Sequence, residues 1–144
     1  MSYNILPTSK FSKEIKRLIK KFPSLKSEFA NLISLLSENP TTGTSLGENC
    51  FKIRIAIASK NKGKSGGARI ITYLILKDKS VFLLTIYDKA EKQNITEKEL
   101  KELILIGESK NLVILNSTVQ RHIISTSFIS IYYQQKLEVL IGKR

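Results

Sequence analysis

The sequence has few residues of the kinds that carry metal, redox and acid–base chemistry. Among its 144 residues there is one cysteine, Cys50, and one histidine, His122. A single cysteine excludes an internal disulfide and fits a reducing compartment such as the cytoplasm. A lone histidine in an apolar stretch is more often structural than catalytic, and no pair of carboxylates stands at ligand spacing. We therefore expect neither a metal nor another cofactor.

Long apolar runs and acidic residues are also scarce. No run of about 18 uncharged apolar residues occurs, so no membrane contact through a spanning helix is expected. The segment Met1–Pro7 lacks the charged-then-apolar order of a signal peptide. The 12 Asp and Glu residues are outnumbered by 24 Lys and Arg, which leaves a net charge of +12. Such an excess favours a polyanionic partner, either nucleic acid or an acidic protein. The sequence predicts a basic, soluble, cytoplasmic protein.

The first forty residues carry the pattern of two helices. Apolar residues recur at spacings of three and four from Phe11 to Phe22, with lysines and an arginine at most other positions. Pro23 ends this helix, because its ring cannot continue the hydrogen-bond ladder. Ser24 is a plausible N-cap for the second helix, which ends near Asn39. Helices joined this tightly predict an antiparallel hairpin.

The pattern then changes to that of strands. Residues 51–57 alternate apolar and polar, and Lys52 and Arg54 point away from the apolar face. Residues 68–76 and 81–87 are β-branched and apolar, which predicts the central strands of an antiparallel meander. Thr96 opens a short helix, with Glu99 completing a capping box. The expected fold is α+β, a helical hairpin packed on a small antiparallel sheet, with a short C-terminal helix.

The composition shifts near residue 107, where charged residues become rare. We place one domain at residues 1–106 and a C-terminal extension of unassigned role at 107–144, with added strands on the same domain as one interpretation. Within the extension, 112–115 and 128–133 have the composition of strands, and 136–141 that of a short helix.

A glycine- and lysine-rich loop separates the first two predicted strands. Residues 60–68 contain three lysines (Lys60, Lys62 and Lys64) and three glycines, which predicts a mobile, cationic loop suited to holding an anion. The segment 63–65 resembles the end of a nucleotide-binding P-loop. That motif needs a glycine five residues before Gly63, where Ala58 stands, and a helix afterwards, where a strand is predicted. We therefore exclude a nucleotide triphosphatase of this type.

Strand periodicity brings several cationic and aromatic side chains to one face of the sheet. Positions of matching parity share a face, which groups Lys52, Arg54, Arg69, Tyr73 and Tyr87. Cations there would neutralise phosphate, and tyrosines would stack unpaired RNA bases. The alternatives are a solvated basic face without a partner and, for both tyrosines, packing within the sheet. Without a histidine in this region, acid–base work on a ribose 2′-hydroxyl would fall to Lys, Arg and Tyr.

Three segments resemble the RelE/ParE superfamily of bacterial toxins, in its HigB-like branch. They are Phe51-Lys-Ile-Arg54, Lys62-Gly-Lys-Ser-Gly-Gly-Ala-Arg69 and Leu83-Leu-Thr-Ile-Tyr-Asp-Lys89, followed by Glu91 and Asn94-Ile-Thr96. The resemblance covers about residues 2–106 and is most specific in the glycine loop with its flanking arginine. It departs from the family in being rich in lysine where arginine is favoured.

The resemblance implies a metal-independent endoribonuclease that cuts mRNA in the ribosomal A site. Its partners would be mRNA, the ribosome and a cognate antitoxin, often of helix-turn-helix type. It assigns catalysis to Arg69, Lys89 and Arg54, with Arg69 on the scissile phosphate and Lys89 as the proton-transfer group. RNA and phosphate binding is assigned to Lys52, Lys60, Lys62, Lys64, Tyr73 and Tyr87. The alternatives are a ParE-like toxin that inhibits a protein such as gyrase, and an RNA-binding module without activity.

Overall fold

The structure, a computed structural model, describes residues 2–61 and 63–120, with only the backbone from 110 to 120. Five strands and three α-helices make up the fold, and two short 3-10 turns, Ala58–Lys60 and Lys64–Gly66, shape the glycine loop. In chain order the elements are β1 (Asn4–Pro7), α1 (Ser9–Lys21), α2 (Leu25–Glu38), β2 (Thr44–Gly47), β3 (Cys50–Ile55), β4 (Ala68–Ile75), β5 (Ser80–Asp88) and α3 (Glu97–Gln120).

The sheet has the strand order β1-β5-β4-β3-β2. The predicted antiparallel meander of β3, β4 and β5 is confirmed. The expected α+β fold is confirmed, and the sheet as a whole is mixed rather than antiparallel, because β1 pairs with β5 in parallel, with Asn4 opposite Ser80. The expectation also left out β2, an edge strand antiparallel to β3. Both added strands are only four residues long, too short to establish a period of two.

The two faces of the sheet pack against different helices. The inner face, which we define as the one that contacts α1 and α2, carries the larger apolar core. At its centre, the rings of Phe11 and Phe29 lie 5.6 Å apart between centroids, and both side chains are fully buried. The opposite, outer face packs against α3 through Leu103 and Ile104, together with Leu84 of β5. The sheet therefore lies between the helical hairpin and the C-terminal helix.

N-caps were predicted from the sequence for α2 and α3, and one of the two predictions is confirmed. Thr96 caps α3 as predicted, since its Oγ1 accepts from the Glu99 amide at 3.1 Å. The prediction for Ser24 is wrong, because this residue has helical φ and ψ angles and makes no side-chain cap bond. Its hydroxyl instead accepts from the Ser59 amide at 3.4 Å. That bond ties the start of α2 to the glycine loop.

The third helix is longer than predicted. α3 runs for 24 residues, to Gln120, so neither a short helix nor a strand at 112–115 is correct. Gly107 lies inside it, where a Cβ atom would come within 3.0 Å of the Tyr73 ring. The absent side chain thus lets α3 pack closely on the sheet. The division between residues 106 and 107 falls within this helix and stays a prediction. The elements predicted at 128–133 and 136–141 lie outside the described residues.

Within the described part of the chain, no helix combines the length and the apolar character that crossing a bilayer requires.

Candidate nucleic-acid interface

Strand register aligns two arginines and a tyrosine in one row on the outer face. Arg54 of β3 lies opposite Arg69 of β4, and Arg69 lies opposite Tyr87 of β5. Directly opposed residues project from the same face of a sheet, so the predicted common face is confirmed for these three. We call Arg54, Arg69 and Tyr87 the basic row. Lys52 lies on the same face two residues before Arg54, opposite Ile71.

Helix α3 covers only part of this face. Tyr73, opposite Cys50, belongs to the covered part. Its ring contacts Gly107, and its hydroxyl donates to Glu108 Oε1 at 3.4 Å. Burial raises the pKa of Tyr73, and the Glu108 carboxylate adds to the effect. Tyr73 thus packs against α3 in this structure, and its assignment to base stacking stays a prediction.

The two arginines of the row have different environments. Arg54 is exposed, whereas Arg69 is only 3% exposed. The Arg69 guanidinium donates to three backbone carbonyls, those of Lys64 at 2.9 Å, Ser65 at 3.0 Å and Ala68 at 3.0 Å. Burial lowers the pKa of Arg69, and the nearby positive charge of Arg54 lowers it further. Arg69 therefore holds the glycine loop in place, and it is the buried positive charge of the basic row.

Tyr87 ends the row on β5. Its side chain is buried, and its hydroxyl has no hydrogen-bond partner of ordinary geometry among the described residues. Burial raises the pKa of Tyr87, an effect that the Arg69 charge partly opposes. The phenol is therefore protonated near neutral pH. The Lys92 ammonium lies 5.6 Å from the centroid of the ring, within cation–π range. As for Tyr73, the structure favours packing.

The described residues of the glycine loop contact the rest of the fold, and the expectation of a mobile loop stays a prediction. The Lys60 ammonium forms an ion pair with Asp88 and reaches the Gly66 carbonyl at 3.4 Å. At Gly67, a Cβ atom would lie 2.0 Å from the Ile55 carbonyl oxygen, so no other residue fits without movement of the backbone. The Lys60 ammonium is thus engaged in contacts within the protein, and its assignment to phosphate binding stays a prediction. Lys62 lies outside the described residues.

Lys89 lies immediately after β5, beside the glycine loop. Its amide donates to the Gly67 carbonyl at 3.1 Å, and its side chain is half-buried. The structure thus brings the backbone of Lys89 against the loop that Arg69 organises.

Three of the predicted cations line one groove. Lys52, Arg54 and Lys64 border a groove of about 470 Å³ between α2 and β3. Leu32 and Leu35 of α2 supply apolar walls. Glu28 of α2 also lines the groove, so three cations stand there against one acid. A groove with an excess of cations and apolar walls suits the backbone and bases of a single-stranded nucleic acid.

Sequence reasoning did not predict the ion pairs that the charged residues around the end of β5 form. Asp88 is the buried partner of Lys60. Glu91 forms a two-pronged contact with Arg17 of α1, at 3.2 Å and 2.9 Å, which lowers the pKa of Glu91. Lys92 pairs with Glu99. Asp88 ends an otherwise apolar strand, and this position could have indicated a buried ion pair, since buried acids are rarely unpaired. The partners of Asp88 and Glu91, which are Lys60 and Arg17, lie more than twenty residues away in the sequence, and no local pattern pointed to them.

Among residues 2–61 and 63–120, no group of three or more His, Cys, Asp or Glu side chains is arranged to hold a metal ion.

A family comparison identifies the class of protein to which this fold and site belong. Residues 10–130 match the family described as the RelE toxin of the RelE/RelB toxin–antitoxin system. Because the match covers most of the chain, the chain belongs to the RelE toxin family. It is a toxin of a toxin–antitoxin system, and membership of this family implies a cognate antitoxin as partner.

Among solved structures, the chain is similar to the E. coli toxin RelE, in the free state of a double arginine-to-alanine mutant. The sequence identity is 17%, the match covers 65% of this chain and 90% of that one, and the TM-score is 0.48.

Proposed function

We propose that this toxin is a ribosome-dependent endoribonuclease of the HigB-like branch, which inhibits translation in the cytoplasm by cutting mRNA in the A site. The observation that carries the proposal is the basic row with its neighbouring groove. Arg54 and Lys64 are exposed there and Lys52 is half-buried, so these cations are accessible to a phosphate backbone. Binding by such a surface weakens steeply with salt.

Because Arg54 is exposed and Arg69 is buried, we assign different roles to the two arginines. Arg54, with Lys52 and Lys64, contacts phosphate directly. Arg69 has its guanidinium committed to the loop carbonyls, so it acts on the scissile phosphate through its positive charge and through the loop that it shapes. Lys60, paired with Asp88, contributes to the loop rather than to RNA.

Proton transfer falls to Lys89 and, after movement of its ring, to Tyr87. The ribose 2′-oxygen attacks the adjacent phosphorus, the bond to the 5′-oxygen breaks, and that oxygen takes up a proton. Tyr87 is protonated near neutral pH because burial raises its pKa, which suits an acid rather than a base. Lys89 lies beside the loop and is our candidate for the group that accepts the proton of the attacking 2′-hydroxyl. The scheme assigns no role to a metal.

The cognate antitoxin, which we propose to be of helix-turn-helix type, inhibits the toxin by covering the basic row. An acidic surface on the antitoxin would complement Arg54, Lys52 and Lys64, and it would exclude RNA from the groove.

The test is induction of the toxin in bacteria, with mRNA 5′ ends mapped in translating cells. Wild type should arrest growth with cuts at codon-related positions, and Arg54→Ala should lose both effects. Lys101→Ala is the control, because Lys101 is an exposed lysine of α3 in an exposed ion pair. Arrest with intact mRNA and altered DNA topology would indicate a ParE-like toxin instead. RNA binding without arrest or cuts would indicate an inactive RNA-binding module.

A further inference from the structure

The ion pair between Lys60 and Asp88 is buried at the carboxylate and partly buried at the ammonium. The side chains are 14% and 2% exposed. Removing two charges from water costs about as much as their attraction returns, so buried ion pairs are weak evidence for stability. They are better attested as devices that select one arrangement of the chain. The question is which arrangement this pair selects.

Three parts of the fold meet at the pair. The Lys60 ammonium reaches the Gly66 carbonyl at 3.4 Å and lies 5.1 Å from the centroid of the Phe22 ring, just after α1. Asp88, at the end of β5, also accepts from the Ala90 amide at 3.0 Å. The pair therefore joins the glycine loop to the residue that follows α1 and to the end of β5.

The same contacts set the backbone at two candidate functional lysines. Lys64 lies in the loop that the pair holds, and its carbonyl accepts from Arg69 at 2.9 Å. Lys89 directly follows Asp88, and its amide donates to Gly67 of the same loop at 3.1 Å. Movement of the loop away from β5 would separate Lys64 from Lys89.

We propose that Lys60 and Asp88 are positioning residues, whose ion pair holds the glycine loop against the end of β5 and thereby fixes Lys64 and Lys89 relative to the RNA phosphate. Neither member of the pair touches RNA. The inference rests on the proposed function for its effect on cleavage. The effect on the loop is independent of that function.

The test uses the double variant Lys60→Met with Asp88→Asn. This variant removes both charges together, so no unpaired buried charge remains, and the asparagine oxygen can still accept from the Ala90 amide. Lys60→Arg, which keeps the charge, is the rescue variant. The matched control is Lys101→Met with Glu97→Gln, which removes an exposed ion pair of α3 with a 3.7 Å separation. Circular dichroism and thermal unfolding establish that each variant is folded.

Limited trypsin digestion reports on the loop. In the folded double variant, cleavage after Lys64 should be roughly tenfold faster than in wild type, because local opening lets the loop backbone enter the protease active site. Lys60→Arg and the α3 control should digest like wild type. A folded double variant whose loop remains as protected as in wild type would overturn the inference.

Cleavage of mRNA on programmed ribosomes reports on positioning. The double variant should lose about tenfold to a hundredfold in kcat with KM nearly unchanged, since misplacement by about 1 Å has an effect of this size. Lys60→Arg, which keeps the positive charge, should have a kcat close to that of wild type. Unchanged kcat in a folded double variant overturns the positioning role. If wild type itself does not cut mRNA, the proposed function fails, and the digestion result still decides whether the pair holds the loop.

Discussion

The two faces of the sheet differ in how completely helices cover them. On the inner face, α1 and α2 bury Phe11, Ile15 and Phe29 fully. On the outer face, α3 covers Tyr73 and its surroundings but leaves Arg54 exposed. Stability and binding are therefore assigned to different sides of one sheet. Substitutions on the inner face should unfold the protein, and substitutions on the open part of the outer face should change RNA binding alone.

The largest expected effect comes from the centre of the inner face. Phe29→Ala should lower the free energy of unfolding by about 3–5 kcal/mol, because a fully buried ring is lost and a cavity remains. Chemical denaturation measures the change. Leu35→Ala, on the same helix but 45% exposed, is the control and should lose about 1 kcal/mol or less. Equal losses in the two variants would contradict the conclusion that the buried core of the inner face carries the stability.

The two arginines that face each other in the row provide a sharper test. Arg69→Lys should lower stability by roughly 1–3 kcal/mol, because an ammonium cannot replace the planar guanidinium on its carbonyls. Arg54→Lys, at the exposed position opposite, should change stability by about 0.5 kcal/mol or less. Urea denaturation of both variants checks the contrast. If the two changed stability equally, Arg69 would not be the organiser of the loop.

A smaller effect concerns the salt dependence of RNA binding. Each phosphate contact to a single strand contributes about 0.7 to the slope of log K against log salt concentration. Lys52→Ala should reduce that slope by about 0.7 if Lys52 binds one phosphate. Fluorescence anisotropy with a labelled single-stranded RNA gives the slope. Lys101→Ala, on an exposed position of α3, should leave it unchanged, and an equal reduction there would indicate only an effect of net charge.

The sequence predicted the parts of the fold that depend on periodicity. Helices α1 and α2 follow from spacings of three and four and β3 from a period of two, whereas β4 and β5 follow from runs of β-branched and apolar residues. Strand β1 was not predicted, because four residues show no period and its pairing with β5 joins residues more than seventy positions apart. The length of α3 was also missed, because a short apolar, β-branched run does not by itself distinguish a helix from a strand.

The candidate site was predictable to the same extent. Strand parity placed Arg54, Arg69 and Tyr87 on one face, which the register confirms. Parity did not predict that Arg69 would be buried, because this depends on where the loop carbonyls lie. The ion pair of Lys60 with Asp88 joins residues 28 positions apart, and no local pattern links them.

The smallest effect tests whether the covered part of the outer face stays closed. Burial raises the pKa of the Cys50 thiol from an ordinary 9.0 to about 12. A native thiol of this kind should react very slowly with a thiol reagent at pH 8, since the thiolate is the reactive form. It should react quickly in denaturant. Ser45→Cys in a Cys50→Ala background, at an exposed position of β2, is the matched control and should react quickly in the native state.

The same group makes stability fall at alkaline pH. The folded state holds the Cys50 proton up to a pKa of about 12, whereas the unfolded chain releases it near the ordinary value of 9.0. Between these values the unfolded state binds fewer protons, so the free energy of unfolding decreases as pH rises. Cys50→Ala should show a shallower decrease over that range in urea denaturation. An identical decrease in the two proteins, or rapid native labelling of Cys50, would mean that α3 opens and exposes the part of the outer face that it covers.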